Sequence, residues 1–350
     1  MLNAHGNKIS STRPEIDTLE GCLAQLLKLL DEQPNVPAIA AVGHRIVHGG
    51  DEFHQPVVLD DEVLSRLREL VPLAPLHQPV NLGLAEICRN ALPDVPHVAC
   101  FDTTFHQGQD ELVRQYALPR DLTEKGIHRF GFHGTSFESV LRQWQRSYPE
   151  RAGDAIVVAH LGSGSSLCAI KDGRSVATTM GFSTADGLPM GTRCGSVDPG
   201  VLIYLLRQYR MSADALEDLL YRRSGLLGIS GVSGSMCALR QSGEPAAAVA
   251  IEYFVYRCAR EIGSLAAALG GLDGLVFTGG IGENDALTRR EIALRCSWLG
   301  VRVHDRANES ASGLVSAPES RVGVYVIPSD EEMMIAIHAQ RLSCARRSGS

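Results

Sequence analysis

Apolar residues recur at three- and four-residue spacing through Ile16, Leu19, Leu23, Leu26, Leu27 and Leu30, which predicts an amphipathic helix. A buried strand is expected over Pro37–Gly43, running into His44-Arg45-Ile46-Val47-His48-Gly49-Gly50. Asp60 reads as the N-cap of a helix reaching Leu70. A Pro-bounded loop, Leu73–Pro79, leads to a helix from Val80 to Asn90, and His97–Phe101 forms a short buried strand ending at Asp102. Thr135-Ser-Phe-Glu138 has the form of a capping box and predicts a helix start. A β meander follows: Ala155–Leu161, a turn at Gly162-Ser-Gly164, Ser165–Ile170, a turn at Lys171-Asp-Gly173, and Arg174–Thr179.

The second half is more helical. Helices are expected over Pro199–Gln208, Ser212–Arg222 and Pro245–Leu269, the last with Ile251, Phe254, Val255, Cys258, Ile262 and Leu265 on one stripe. A buried strand, Leu275–Thr278, runs into Gly279-Gly-Ile-Gly-Glu-Asn284 and a helix through Leu299. Gly323–Ile327 is the last strand, and Ser329 opens the last helix. Strands feeding Gly-rich loops and then helices indicate an α/β architecture with ligands at strand ends. A chain of 350 residues suits two domains, expected at 1–150 and 151–350.

Composition narrows the functional classes. With a formal net charge of −7 and no long basic run, a nucleic-acid partner is not expected. No stretch reaches the roughly 18 apolar residues that suggest a membrane span, and the N-terminus shows no apolar signal core. Nine cysteines without a Cys-x-x-Cys pair read as reduced core thiols of a cytoplasmic protein, and argue against a zinc site.

Two Gly-rich loops, His160-Leu-Gly-Ser-Gly-Ser-Ser166 and Gly279–Asn284, each follow a buried strand. Such loops can turn backbone N–H groups toward a phosphate, or serve only as turns. Arg45 and Arg193 offer guanidinium forks for carboxylate or phosphate, or for structural ion pairs. Asp102 can orient an attacking group or a metal's water, or cap a helix. His133 can donate to developing phosphoryl charge, or be a structural histidine. Ser329-Asp-Glu-Glu332 fits a second capping box, which occupies Glu332 and leaves Glu331 for a ligand or Mg²⁺.

Taken in chain order, the runs Gly43–Gly50, Leu73–Leu82, Phe101–Gln107, Gly131–Ser136, His160–Ser166, Met180–Pro199, Ser224–Gly231, Phe277–Asn284 and Val326–Ala336 resemble the acetate kinase family nearly from end to end. The resemblance implies an α/β, actin/hexokinase-like (ribonuclease H-like) fold of two lobes around a nucleotide cleft. It implies a homodimer that moves the γ-phosphoryl group of ATP directly to acetate, giving acetyl phosphate and ADP, with Mg²⁺ or Mn²⁺. On matching positions, Arg45 would grip the substrate carboxylate, with His77 beside it, and Val47, Leu76 and Phe132 would form the methyl pocket. Asp102 would be the essential acid, and His133 and Arg193 would stabilise the phosphoryl group in flight. His160, Leu161, Gly162, Ser163 and Gly164, with Gly280, Ile281, Gly282, Glu283 and Asn284, would line the ATP site, and Glu331 would hold the metal. Residues 1–150 would form the acyl-substrate lobe and 151–350 the nucleotide-binding and dimerising lobe.

Three departures from the family pattern carry expectations. The family's opening Asn-x-Gly-Ser-Ser-Ser-x-Lys strand has no counterpart, the match starting near Ala4-His-Gly-Asn7. The N-terminal lobe is therefore expected to be incomplete, and the 350-residue chain nearly inactive and prone to aggregate. Ser235-Met236-Cys237 stands where the family has an Asp-(Phe/Met)-Arg adenosine contact, so nucleotide discrimination is expected to weaken. Thr184 replaces a proline of the acyl pocket. Alternatives are a propionate or butyrate kinase, a kinase with another phosphoryl donor, and, from a different class, a truncated non-catalytic remnant.

Overall fold

The structure, a computed structural model, describes residues 18–33, 37–310 and 313–348. Ile16 and the Ala4–Asn7 segment lie outside the described residues. The first part runs α1 (Leu19–Asp31), β1 (Val42–Ile46), β2 (Val57–Val58), α2 (Asp61–Glu69), α3 (Gln78–Ala91), β3 (His97–Phe101), the short helices α4 (Glu111–Arg114) and α5 (Arg120–Glu124), and α6 (Gly134–Ser147). Next come β4 (Ile156–Leu161), β5 (Ser165–Lys171), β6 (Arg174–Thr178), α7 (Pro199–Gln208), α8 (Ala213–Arg222), α9 (Gly225–Ser230), α10 (Met236–Gln241) and α11 (Pro245–Leu269). The rest is β7 (Gly274–Thr278), α12 (Gly279–Asn284), α13 (Ala286–Arg295), α14 (Asp305–Ser310), β8 (Gly313–Leu314), β9 (Gly323–Val326) and α15 (Glu331–Ser348).

Two sheets organise these elements. The larger has the order β6-β5-β4-β7-β9-β8. Its meander β4–β5–β6 is antiparallel, whereas β7 and β9 run parallel to β4. Parallel pairs need crossover helices, and these cover both faces. On one face α11 packs Phe254, Cys258 and Ile262 against Val157, Ala159, Leu275 and Phe277. On the other, Phe137, Val140, Leu141 and Trp144 of α6 meet Ile156, Val158, Cys168 and Val276. The smaller sheet has the order β1-β3-β2, with β1 and β3 parallel. Ile46, Ala99 and Phe101 face Leu64, Leu67, Leu82 and Ala85 of α2 and α3. Its opposite face, Val98 and Cys100, packs on Ile335, Ala339 and Leu342 of α15. Cys88, Cys100, Cys168, Cys258 and Cys296 are all buried. Among the described residues no helix is long and apolar enough to cross a membrane.

Four local expectations need correction. The first strand spans Val42–Ile46, not Pro37–Gly43. Its partner β3 begins at His97, opposite Val42, so residues before Val42 have nothing to pair with in register. Helix α6 starts at Gly134 rather than in a Thr135–Glu138 capping box: Thr135 turns its hydroxyl to Asp102 (3.4 Å) and Glu138 pairs with His338 (2.9 Å). Gly279–Asn284 is a helical turn and not an open loop. The Ser329–Glu332 capping box does not form either. The Ser329 N–H donates to Glu283 (3.1 Å), and it is Asp330 that caps α15 by accepting from the Met333 N–H (2.9 Å).

Candidate active site

Parallel pairing sets the site. His160 lies opposite Thr278 at the carboxyl ends of β4 and β7, so the two Gly-rich segments emerge side by side. In the smaller sheet Ile46 lies opposite Phe101, so the ends of β1 and β3 deliver Arg45, Val47 and Asp102 together. These ends meet at one cavity of about 610 Å³. Of the residues singled out from sequence, Arg45, Val47, His77, Asp102, Phe132, His133, His160, Gly162, Ser163, Gly164, Arg193, Gly280, Glu283 and Glu331 line it.

The others sit elsewhere. Leu161 is fully buried and Ile281 partly so, both in the core of the larger sheet. The Gly282 carbonyl accepts from Arg289 (2.9 Å), and the Asn284 side chain donates to the Gly280 carbonyl (3.0 Å). Leu76 lines a small adjoining pocket of about 10 Å³ with Leu73, Ala74, Pro75 and Tyr221, bordered by His77, Phe132 and Thr184 of the main cavity. Sequence reasoning missed Asn81, which also lines the cavity and accepts from the Val47 N–H (3.0 Å). Its only sequence signal was its place inside the Leu73–Leu82 run.

Arg45 is the hub. Its Nε donates to both Asp102 oxygens (2.9 and 3.1 Å), and its Nη2 to Oδ2 (2.7 Å). Its remaining Nη1 lies 3.3 Å from Glu331. Asp102 is 2% exposed, so the carboxylate depends on this fork. Burial raises the pKa of Glu331, with the Arg45 charge opposing the rise.

Arg193 differs. Nη1 donates to the Thr184 carbonyl (3.2 Å), and Nη2 to His77 Nε2 (3.3 Å). No ion pair joins it to a described carboxylate. Its pKa is lowered, chiefly by burial, with Arg45 adding to the effect. A half-buried guanidinium with no carboxylate partner among the described residues can receive an anion.

His133 sits in left-handed backbone at the start of α6 (φ 60°), and its ring stacks on His160 with centroids 4.4 Å apart. Burial, then His160, Arg45 and Arg193, holds its pKa well below the ordinary imidazole value; His160 is pulled down to about 4, burial again first. Space is tight at Gly164 and requires a glycine at position 279. A Cβ on Gly164 would stand 3.2 Å from His133 Nε2, and one on Gly279, already at φ +75°, would meet the Leu161 backbone at 2.8 Å. Glu283 ties this floor together, accepting from Thr278 Oγ1 and from the Gly279 and Ser329 N–H groups.

Fold and cavity together define an α/β protein with a polar cavity, lined by two guanidinium groups and two Gly-rich segments, at the joined ends of two sheets. Residues 1–337 match the family described as the Acetokinase family. The chain is 49% identical over 98% of its length to an acetate kinase of Rhodopseudomonas palustris, covering 87% of that protein. Among solved structures it resembles a propionate kinase from Francisella tularensis (TM-score 0.88, 36% identity, 92% of this chain and 84% of that one). It also resembles the Porphyromonas gingivalis acetate kinase (TM-score 0.85, 36% identity, 97% and 88%). The chain belongs to the acetokinase family, and its mixed α/β fold, as expected, resembles those of solved acetate and propionate kinases.

Proposed function

We propose that this chain is an acetate kinase, transferring the ATP γ-phosphoryl group reversibly to acetate at this cavity. The observation that carries the reading is Arg193, a half-buried cation with no carboxylate partner among the described residues, lining with Arg45 a cavity that two Gly-rich segments also line. Phosphoryl transfer needs positioning and charge neutralisation more than covalent chemistry, and this set of groups supplies both. In this reading Arg45, held by Asp102, grips the acetate carboxylate in line with the γ-phosphorus. The methyl group sits toward Val47 and Phe132. Arg193 and His133 stabilise the phosphoryl oxygens as charge shifts, and His160–Gly164 and Gly280 face the nucleotide phosphates.

A divalent cation, Mg²⁺ or Mn²⁺, fits these residues. Among those described, no group of three or more His, Cys, Asp or Glu could cage a metal alone. A hard cation held by one carboxylate, waters and substrate phosphates needs no such cage, and Glu331, at the cavity wall, is the carboxylate we assign to it. When bound, it would neutralise charge on the phosphate oxygens.

The adjoining pocket of about 10 Å³ shares only Phe132 with the proposed methyl position and has room for about one small group, and acetate is the acyl substrate we assign. We further propose a cytoplasmic homodimer. Neither α7 nor α8 buries a residue, and Val201, Tyr204 and Tyr209 are exposed, Val201 one turn before Tyr204 and the two tyrosine rings 5.9 Å apart, an apolar strip suited to a second copy. Sedimentation of a Tyr204→Asp variant should show monomer if this face pairs. The main test is trapping of acyl phosphate as hydroxamate, with ATP and either acetate or propionate. Acetate should be preferred, and Arg193→Ala should cut turnover about 10²–10³-fold with the fold intact. Near-normal turnover in Arg193→Ala would sink the assignment.

A further inference from the structure

The stacked histidines are held by two crossed hydrogen bonds. His133, at the head of α6, bonds through Nδ1 to Ser166 Oγ on β5 (2.8 Å). His160, on β4, bonds through Nδ1 to Ser136 Oγ on α6 (2.7 Å). Ser166 lies directly across the hairpin from His160, and Ser136 lies three residues beyond His133. Each serine is therefore carried next to the other histidine: Ser166 by the strand paired with β4, and Ser136 by the helix that His133 opens. Both serines are fully buried, and neither hydroxyl has another partner among the described residues.

That isolation fixes the direction of the bonds. A hydroxyl carries one proton to give, and burying that proton without an acceptor is costly. Among the described residues the imidazole nitrogen is the only acceptor each serine has, so each Oγ–H donates and each Nδ1 is left bare. Burial beside Arg45 keeps both rings neutral, and a neutral ring with bare Nδ1 carries its proton on Nε2. Those nitrogens face the Gly-rich turn. His133 Nε2 lies 3.2 Å from where a Cβ would stand on Gly164, and His160 Nε2 lies 3.9 Å from the same point on Gly162.

We infer that Ser166 and Ser136 are positioning residues: they lock His133 and His160 in the Nε2–H tautomer, so that two parallel donors point at the phosphate-facing turn. The inference rests on the phosphoryl-transfer reading of this cavity for its consequence, but not for its geometry. With the opposite tautomer, two lone pairs would face the phosphoryl oxygens, and attraction would become repulsion. The serines thus act on turnover through the rings without touching a substrate.

The test uses the full chain with ¹⁵N-labelled histidine and long-range proton–nitrogen correlation spectra. Both rings should show bare Nδ1 and protonated Nε2. In Ser166→Ala the His133 pattern should change while His160 stays as it was, and Ser136→Ala should do the reverse. Turnover in either variant should fall about 10–100-fold with the KM for ATP and acetate nearly unchanged, and Ser166→Thr, which keeps a hydroxyl, should restore both tautomer and rate. A protonated Nδ1 on His133 in the parent chain would overturn the inference, even if no variant folds. An unchanged His133 pattern in a folded Ser166→Ala would do the same. Undiminished turnover in His133→Ala would count against the site reading itself, which the spectra do not touch.

Discussion

Replacing Arg45 by lysine separates charge from shape. Lysine keeps the cation but has a single ammonium, whereas Arg45 makes three contacts with Asp102 and reaches Glu331 with its remaining arm. An ammonium can sit beside Asp102 or lean toward Glu331, and in neither place does it present a fork to a substrate carboxylate. At least one charge-assisted hydrogen bond to a carboxylate only 2% exposed is lost. Such bonds are worth about 1.5–3 kcal/mol when buried. Because the Arg45 side chain is itself 45% exposed, solvent takes up part of the loss, and a stability cost of about 1–2 kcal/mol follows. Thermal unfolding should drop by a few degrees, leaving a folded protein. Catalysis should suffer far more, because the lost fork is the proposed carboxylate clamp: kcat/KM for acetate should fall about 10²–10³-fold. Initial rates from hydroxamate trapping across acetate concentrations, beside a thermal melt, give both numbers. Arg45→Lys with kcat/KM within threefold of the parent would refute the clamp. A KM for acetate that stays put while kcat collapses would move Arg45 from the carboxylate to the phosphoryl group.

Two further outcomes are expected. Ser235 spends its hydroxyl on capping α10 (3.4 Å to the Ala238 N–H) and Cys237 is an exposed thiol, so neither supplies the charge that the family resemblance leads one to expect at a purine site. ATP should be preferred over GTP by less than about tenfold, the worth of a charged hydrogen bond, and strong ATP-only use at a low KM would contradict this. The second concerns acid. Burial pulls His44, His48, His106 and His160 from 6.5 to about 4. Between those values the unfolded chain takes up protons that the folded one refuses, so stability rises with pH through that window and is lost as pH falls. At pH 5 each of these histidines costs about 2 kcal/mol, together a large part of a typical stability of about 5–15 kcal/mol. Urea unfolding at pH 7 and pH 5 should show a much lower midpoint at pH 5, and equal midpoints would contradict the burial argument.

Elements with a strong period or a proline start were legible from sequence. Pro199–Gln208, Pro245–Leu269 and His97–Phe101 fall where the pattern puts them. The first strand did not, because an apolar run does not say where its partner begins. Both capping boxes failed for one reason: Asp102 and Glu283 compete for the same groups, and both are remote in sequence. The site's residue types were readable through the ordered runs, but their meeting depends on parallel strand registers that no local pattern encodes. Asn81 had no motif to mark it, and Ser136 and Ser166 were visible only as members of the Gly131–Ser136 and His160–Ser166 runs. Their meaning lies in contacts across 24 and 33 positions.

The last helix has a consequence for synthesis. One apolar face of the β1–β3 pair is covered by Ile335, Ala339 and Leu342 of α15, nearly 300 residues after β1 leaves the ribosome. At roughly 5–20 residues per second β1 waits at least about 15 seconds, and β3 at least about 12 seconds, for this cover. The α11 side of the larger sheet, by contrast, closes on segments made closer together in time. Nascent chains stalled before residue 331 should therefore expose the Val98–Cys100 face to holding chaperones, and those released after α15 should not.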